Sequence, residues 1–183
     1  MGPPGGAELI TFAVPVGSRF AMRLLRGDSK AIAGTVYGTI VVLSLLTAGA
    51  AAYADDLWRL VVITGTGMIV LWAAHVYAQG LGESVEIGRR LGIGEIAAIG
   101  WRESSILLAA VLPEAAIALG AVGVLAGRTA LWIAFGLGVA ALTVQAVRYA
   151  YLERLGRTGT AIAIGLNLVF GLTFVALKAL LAH

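Results

Sequence analysis

A glutamate stands next to a proline inside an otherwise apolar stretch, VLPEAAIALG, in this chain of 183 residues. The surrounding residues favour membrane insertion by about 3 to 6 kcal/mol, against a cost of up to about 3 kcal/mol for one ionised acid. The stretch therefore tolerates Glu114, but tolerance does not explain its presence. A carboxyl group in hydrocarbon takes up a proton unless it faces water or a partner. We therefore expect Glu114 to point into a helix bundle.

Four other polar side chains lie within apolar stretches, in the inner half of the expected membrane or near its midplane. They are Tyr37, His75, Gln145 and Asn167. At a rise of about 1.5 Å per helical residue, these groups and Glu114 lie about 6 to 16 Å from the inner boundary. The pattern predicts a polar vestibule that opens toward the cytoplasm, with Glu114 at its inner end.

The chemistry available to this cluster is proton or cation binding. His75 and Glu114 are expected at similar depths on consecutive spans, and a histidine–carboxyl pair can relay protons near neutral pH. A lone carboxyl with hydroxyl and amide neighbours could bind a cation instead. Tyr37 and Asn167 would provide polar lining, with Gln145 as a further lining residue near the boundary. The alternative is that the groups only form interhelical hydrogen bonds, each worth about 0.6 to 2 kcal/mol.

Pro113 is expected to bend the helix beside Glu114. Proline lacks a backbone N–H, and its ring clashes with the carbonyl one turn earlier, that of Ala109. Such a bend would expose backbone carbonyls beside the acid. The alternative is that Pro113 and Glu114 begin a helix. In that case only 113–127, about 22 Å of helix, would remain to cross a membrane core of about 30 Å.

Composition places the chain among integral membrane proteins. It is 60% hydrophobic and 13% charged, whereas soluble domains are roughly 45–50% apolar and 25% charged. Its mean hydropathy is +0.94. Apolar stretches long enough to cross a bilayer as helices occur five times. The sequence therefore predicts an all-α integral membrane protein, a five-transmembrane-helix bundle with spans at about 31–53, 58–81, 103–126, 130–150 and 159–181.

The first 30 residues form a region of their own, 1–30, ahead of the transmembrane domain, 31–183. Within it, 8–26 combines apolar residues with arginines, which predicts an N-terminal interfacial amphipathic helix. A signal peptide is not expected, because arginines follow the apolar stretch and Pro15 interrupts it. A disordered tail is the alternative for this region.

Positive charge predicts the orientation, because Lys and Arg beside membrane spans are retained in the cytoplasm. One side holds ten such residues: Arg19, Arg23, Arg26, Lys30, Arg89, Arg90, Arg102, Arg148, Arg154 and Arg157. The other side holds three: Arg59, Arg128 and Lys178. The N-terminus is therefore expected in the cytoplasm and the C-terminal His183 outside. The richness in arginine, alanine and glycine points to a bacterium, and hence to the bacterial cytoplasmic (inner) membrane.

Two features predict how the spans are connected and packed. Between the second and third spans, Glu86 and Arg90 stand four residues apart, which supports an exposed helix that continues the second span. Helices in lipid associate by close packing, so small residues are expected at their contacts. Gly34 and Gly38 of GTVYG form one such pair, and Gly123 and Gly127 of GVLAG form another.

The sequence lacks the motifs of familiar catalytic and cofactor-binding sites. The chain has no cysteine, which excludes disulfides, iron–sulfur clusters and Cys-ligated zinc. No HExxH, GxSxG or P-loop motif is present, and a haem held by two histidines would need a second interior histidine. The basic residues do not form one patch, so no nucleic-acid partner is expected. We expect no cofactor, no metal and no catalytic residue.

The sequence leaves three functions open. The first is a small bacterial membrane channel or carrier for protons, cations or a small polar solute, acting as a homo-oligomer because five short helices leave little room for a pathway in one protomer. The second is a structural or accessory subunit that binds other membrane subunits in a larger complex. A third, a membrane-embedded enzyme, would use Glu103, Arg102 and nearby arginines to hold an anionic lipid headgroup.

Overall fold

The computed structural model describes residues 29–53 and 55–181, which form six helices joined by short links. The helices are α1 (Ser29–Ala52), α2 (Leu57–Ile87), α3 (Ile93–Arg102), α4 (Ser105–Ala121), α5 (Gly127–Leu152) and α6 (Arg157–Leu181). No strand occurs within these two ranges. The expected interfacial helix at 8–26 and the terminal His183 lie outside the described residues.

Four of these helices are long and apolar enough to cross a membrane, namely α1, α2, α5 and α6, with mean hydropathies of 1.7 to 2.1. The pair α3 and α4 meets the same criteria when taken together, but it is bent by 50° at the break between the two helices. The described chain thus has four such helices, or five if the bent pair forms one span. The all-helical fold is confirmed, and the apolar helices support a multi-pass membrane protein.

The helix α2 continues well past the expected end of the second span, as the sequence predicts. It ends at Ile87, where Gly88 adopts a φ of +71°. This left-handed conformation favours glycine because a Cβ would clash there. The Gly88 N–H donates to the carbonyl oxygen of Ser84 at 3.0 Å and so closes the last turn of the helix.

The link after α2 differs from the sequence-based expectation of a Glu86–Arg90 pair on one helix. Arg90 lies in this link, so it does not share a helix with Glu86, and the predicted exposed pair on a continuous helix is wrong. Arg89 pairs with Glu95 instead, with 2.7 Å between Nη2 and Oε1. The same carboxylate accepts from the backbone N–H of Gly92 at 2.8 Å and thereby begins α3. The glycine-terminated turn brings α3 back against α2.

The helix α1 lies at the centre of the bundle and packs against α2, α4, α5 and α6. Its buried face carries Val42, Leu43 and Leu46, all of which are fully buried. They pack in one cluster with Phe135 of α5 and Ile117 of α4. Lipid chains are as apolar as these side chains, so within a bilayer this cluster stabilises the fold through close van der Waals contact.

A close contact at two glycines joins α1 to α4. A Cβ atom on Gly38 would lie 2.5 Å from the backbone oxygen of Ile106, and one on Gly34 would overlap the hydroxyl of Ser105. The expected small-residue packing at Gly34 and Gly38 is therefore present, and it joins two helices of one chain. Gly123, by contrast, lies in the link after α4 with a φ of +82° and serves a turn.

The sharp bend between α3 and α4 lies at Glu103 and Ser104, well before Pro113. The helix α4 runs through Pro113 without a break, so the proline does not begin a helix. On the other side of the bend, the Trp72 indole N–H donates to the carbonyl oxygen of Gly100 at 3.2 Å and holds α3 against α2. At the bend the side chain of Glu103 is buried, whereas Arg102 and Ser104 are partly exposed.

One end of the bundle collects most of the described arginines, and we call it the basic end. It is formed by the start of α1, the α2–α3 link, the α3–α4 bend and the α5–α6 link. The opposite end holds the α1–α2 and α4–α5 links, with Asp55 and Asp56 in the first of them.

The α1–α4 contact predicts a large difference between two glycine-to-alanine substitutions. Gly38→Ala should destabilise the protein by about 1 to 3 kcal/mol, because the new methyl group would overlap a backbone oxygen that cannot move aside easily. Gly65→Ala on α2 is the control, since a Cβ there meets nothing within 4 Å, and it should be neutral or slightly stabilising. Denaturant unfolding in mixed micelles measures both. Equal stabilities for the two variants would contradict the described α1–α4 packing.

Candidate functional site

A buried carboxylate at the basic end, that of Glu103, is paired with His75. Glu103 follows α3 at the bend and is 6% exposed, whereas His75 lies on α2. The distance from His75 Nε2 to Glu103 Oε2 is 3.4 Å. A buried charge is costly unless it is paired or hydrogen-bonded. The contact therefore fixes α2 against the bend.

An arginine and a second acid extend this pair toward the basic end. The Nη2 of Arg102 donates to Oε1 of Glu83, and its Nε lies 3.7 Å from Oε1 of Glu103. On α2, His75, Gln79 and Glu83 recur every four residues and so lie on one face of the helix. This face meets Arg102 and Glu103, and the result is a network of charged and polar groups between α2 and the bend.

A cavity of about 290 Å³ lies beside the network, between α1, α2 and the bend, and we call it the Glu103 cavity. It is lined by Ala33, Gly34, Tyr37, His75, Gln79, Glu103 and Ile106. The ring of Tyr37 stands 5.9 Å from the ring of His75, measured between centroids. Sites for drug-sized ligands span roughly 300–1,000 Å³, so this cavity suits an ion or a small solute.

A second cavity, of about 440 Å³, lies on the other side of α1. It shares Ala33 and Tyr37 with the Glu103 cavity, and its other polar lining residues are Gln145, Tyr149 and Asn167. The structure thus brings Tyr37 together with His75 on one side and with Gln145 and Asn167 on the other. Tyr37 forms the wall between the two spaces.

Two of these lining residues are already hydrogen-bonded within their own helices. The side-chain N–H of Asn167 donates to the carbonyl oxygen of Ala163 at 3.0 Å. The amide oxygen of Gln145 accepts from Arg148 at 3.3 Å. Gln145 is 8% exposed. The Asn167 N–H and the Gln145 oxygen therefore have partners within the protein and do not require a ligand.

Glu114 does not contact His75. It lies eight residues beyond Ile106 on α4, about 12 Å farther from the basic end, beside Thr64 of α2. The hydroxyl of Thr64 donates to a carbonyl of its own helix at 2.8 Å. Both carboxyl oxygens of Glu114 are buried and have no hydrogen-bond partner among the described residues. The expected His75–Glu114 pair is thus replaced by His75–Glu103.

The physical reason for this correction is the register of two antiparallel helices. The helix α2 descends toward the basic end while α4 rises from it. Thr64 is level with Glu114, and His75 lies about three turns below it. The polar groups therefore occupy two levels, with an acid–base pair near the basic end and a single buried carboxyl deeper in the bundle.

The pair at the lower level can hold a proton or contribute to a cation site. An imidazole changes charge near neutral pH and can exchange a proton with an adjacent carboxylate. The Glu103 oxygens, the Tyr37 hydroxyl and the Gln79 amide oxygen also belong to the ligand types that hard cations prefer. Within 29–53 and 55–181, no group of three or more His, Asp or Glu side chains could hold a metal ion.

Some residues of this site were missed or given another role by the sequence analysis. Gln79 and Glu83 were not singled out, Glu103 was considered only as a contact for a lipid headgroup, and Arg102 only as such a contact and as a charge that predicts the orientation. The available signal was the four-residue spacing of His75, Gln79 and Glu83, which marks a polar stripe on one face of α2.

No protein-family model, curated protein or solved structure matches the chain.

The pairing of His75 with Glu103 predicts an energetic coupling between these two residues. In a double-mutant cycle of His75→Gln and Glu103→Gln, the unfolding free energies should show a coupling of about 0.5 to 2 kcal/mol. The matched control is the cycle of His75→Gln with Glu114→Gln, whose effects should add to within about 0.5 kcal/mol. Unfolding in mixed micelles provides the measurement. Coupling in the control cycle alone would contradict the described register.

Proposed function

We propose that this protein is a small membrane carrier for protons, cations or a small polar solute, and that the Glu103 cavity is its binding site. The observation that carries this proposal is a buried carboxylate, paired with a histidine, in the wall of a cavity at the basic end. Ionisable groups within membrane-spanning segments are costly, and they commonly mark ion pathways and proton relays. Glu103 would bind the proton or cation, and His75 would be its exchange partner.

The deeper carboxyl supports a second binding position along the same route. Both oxygens of Glu114 are buried without a hydrogen-bond partner, an arrangement that is unusual in native structures and that needs an explanation. A cation or a water molecule would satisfy them, and a bound proton would remove the charge of the carboxylate. Transfer from Glu103 to Glu114 would therefore carry the transported species about 12 Å or more across the bundle.

The packing between the two levels favours a carrier over a permanently open channel. Ile106 is fully buried, and Ala109 and Ala110 on the same helix are at most 9% exposed. An open pore would need a continuous polar passage at this height. We therefore propose that the bundle rearranges during transport, with Tyr37 and Asn167 as polar lining and Gln145 as a further lining residue.

Transport assays on purified protein in liposomes test this proposal. We expect wild-type protein to move protons, Na⁺ or K⁺ in a manner that depends on pH. Glu103→Gln, His75→Ala and Glu114→Gln should each slow the flux at least about tenfold, the factor that corresponds to a loss of about 1.4 kcal/mol. Glu86→Gln is the control, because Glu86 is exposed near the end of α2, and its flux should equal that of the wild type.

Two outcomes would overturn the proposal. If Glu103→Gln and His75→Ala transport all three ions like the wild type, the Glu103 cavity is not the binding site. If the wild type gives no flux above that of empty liposomes for any of these ions or for small polar solutes, the accessory-subunit function becomes the better proposal. Only 6% of the apolar part of α6 is buried within the chain. The exposed face of this helix would then be the surface that binds other membrane subunits.

We further propose that the chain crosses the bacterial inner membrane five times, with the bent α3–α4 pair as one span. The basic end would face the cytoplasm, because arginines beside membrane spans are retained there. The N-terminus would then be cytoplasmic and the C-terminus outside. The exposed face of α6 would allow a homo-oligomer, in which copies of the chain pack side by side.

Cysteine labelling tests this orientation, and the absence of native cysteine makes single introduced cysteines unambiguous. A membrane-impermeant maleimide added to intact cells should label Asp55→Cys, in the α1–α2 link. It should label Gly156→Cys, in the α5–α6 link, only after the membrane is permeabilised. Both positions are exposed, so access to the reagent depends on the side of the membrane. The reverse pattern, or equal labelling of both, would refute the proposed topology.

A further inference from the structure

An apolar groove between α2 and α3 has a different character from the Glu103 cavity. Its volume is about 440 Å³, and apolar side chains that include Trp72, Val76, Leu91 and Ile96 line most of it. The polar lining residues Ser84 and Arg90 belong to the basic end of the groove. Between Trp72 and Ser84 the groove follows α2 for about 18 Å. The groove is long and apolar, with the guanidinium group of Arg90 at one end.

Two glycines and a tryptophan hold this groove open. The indole of Trp72 donates to the carbonyl oxygen of Gly100, which fixes the distance between α2 and α3 at the deep end. A Cβ atom on Gly100 would already lie 3.1 Å from the Trp72 ring. Gly80, farther along α2, leaves space in the middle, since the nearest atom to a Cβ there is a side-chain carbon of Ile99 at 3.9 Å.

The arginines around the groove differ in their charge partners. Arg89 is paired with Glu95, and Arg102 contacts both Glu83 and Glu103. The exposed side chain of Arg90 makes no ion pair within 29–53 and 55–181. Arg90 therefore offers an uncompensated positive charge at the groove, whereas Arg102, the residue that the sequence suggested for a headgroup, is already occupied by acids.

We propose that this groove binds an anionic phospholipid, with the phosphate at Arg90 and an acyl chain along α2 toward Trp72. Charge complementarity identifies the head group, because a cation beside an apolar groove favours an anionic amphiphile over a neutral one. The surface around the groove identifies the environment. Tyr77, Leu81 and Ile93 there are 68%, 51% and 88% exposed, as expected for side chains that lipid covers. The hydroxyl of Ser84 already donates to a backbone carbonyl, so Arg90 provides the contact to phosphate.

Native mass spectrometry of the purified protein tests the head-group contact. Dioleoyl phosphatidylglycerol should bind more tightly than dioleoyl phosphatidylcholine. Arg90→Gln should weaken phosphatidylglycerol binding roughly fivefold, the factor for one arginine near an anionic surface. It should weaken phosphatidylcholine binding less, because the ammonium group of that lipid already balances its phosphate. Arg157→Gln is the control, because Arg157 is an exposed arginine at the same end, outside the groove. Equal effects of the two substitutions would show general electrostatic attraction and overturn the proposal.

A second pair of variants tests the acyl-chain contact. Ala73 and Ala74 are adjacent exposed alanines on α2, and only Ala73 lines the groove. Ala73→Phe should fill the groove and weaken the binding of both phospholipids, whereas Ala74→Phe should weaken the binding of neither. Glycerol phosphate, which has the charge without the chains, should fail to displace bound phosphatidylglycerol. Displacement by glycerol phosphate, together with normal binding by Ala73→Phe, would identify a simple anion site and overturn the proposal.

Discussion

The buried carboxylate of Glu103 imposes the main constraint on this bundle. A charge removed from solvent has to be compensated within the protein, and here the compensation comes from His75 on α2 and from Arg102 beside it in the sequence. The bend after α3 exists at the position where the carboxylate can meet both partners. One electrostatic requirement therefore fixes the placement of α2, sets the direction in which α4 enters the bundle and creates the polar wall of a cavity.

Close packing on the other side of the site makes this arrangement possible. The helix α1 approaches α4 closely at Gly34 and Gly38, and Tyr37, which lies between these glycines in the sequence, reaches the ring of His75. The two glycines of α1 thus help to position the larger side chain of Tyr37. The same tyrosine separates the Glu103 cavity from its neighbour across α1, and a change in α1 would affect both spaces together.

Length and hydropathy were sufficient to predict the helical class and the approximate positions of the long apolar helices, because a bilayer sets a minimum length for an apolar helix. The glycine pair of α1 was also predictable, since close contact between helices in lipid requires small residues. The partner of His75 was not. Its prediction depended on depths counted from assumed boundaries, and an error of one turn moves a side chain by about 5.4 Å. His75 instead lies level with Glu103, the residue assumed to begin the third span, and no local pattern in the sequence announces the bend at that residue. The stripe of His75, Gln79 and Glu83 was the informative signal, because it identifies a shared face without any assumption about depth.

The unequal helix lengths have a consequence for the surrounding lipid. The helix α4 has 17 residues, about 25 Å, whereas its neighbour α2 has 31 residues, about 46 Å. A hydrocarbon core of about 30 Å matches neither of them. If these helices cross a bilayer, the lipid beside α4 would thin or the short helix would be completed by α3, while α2 would tilt or extend beyond the membrane. The fold should therefore respond to bilayer thickness, and a thicker membrane would act first on the angle of the bend at Ser104.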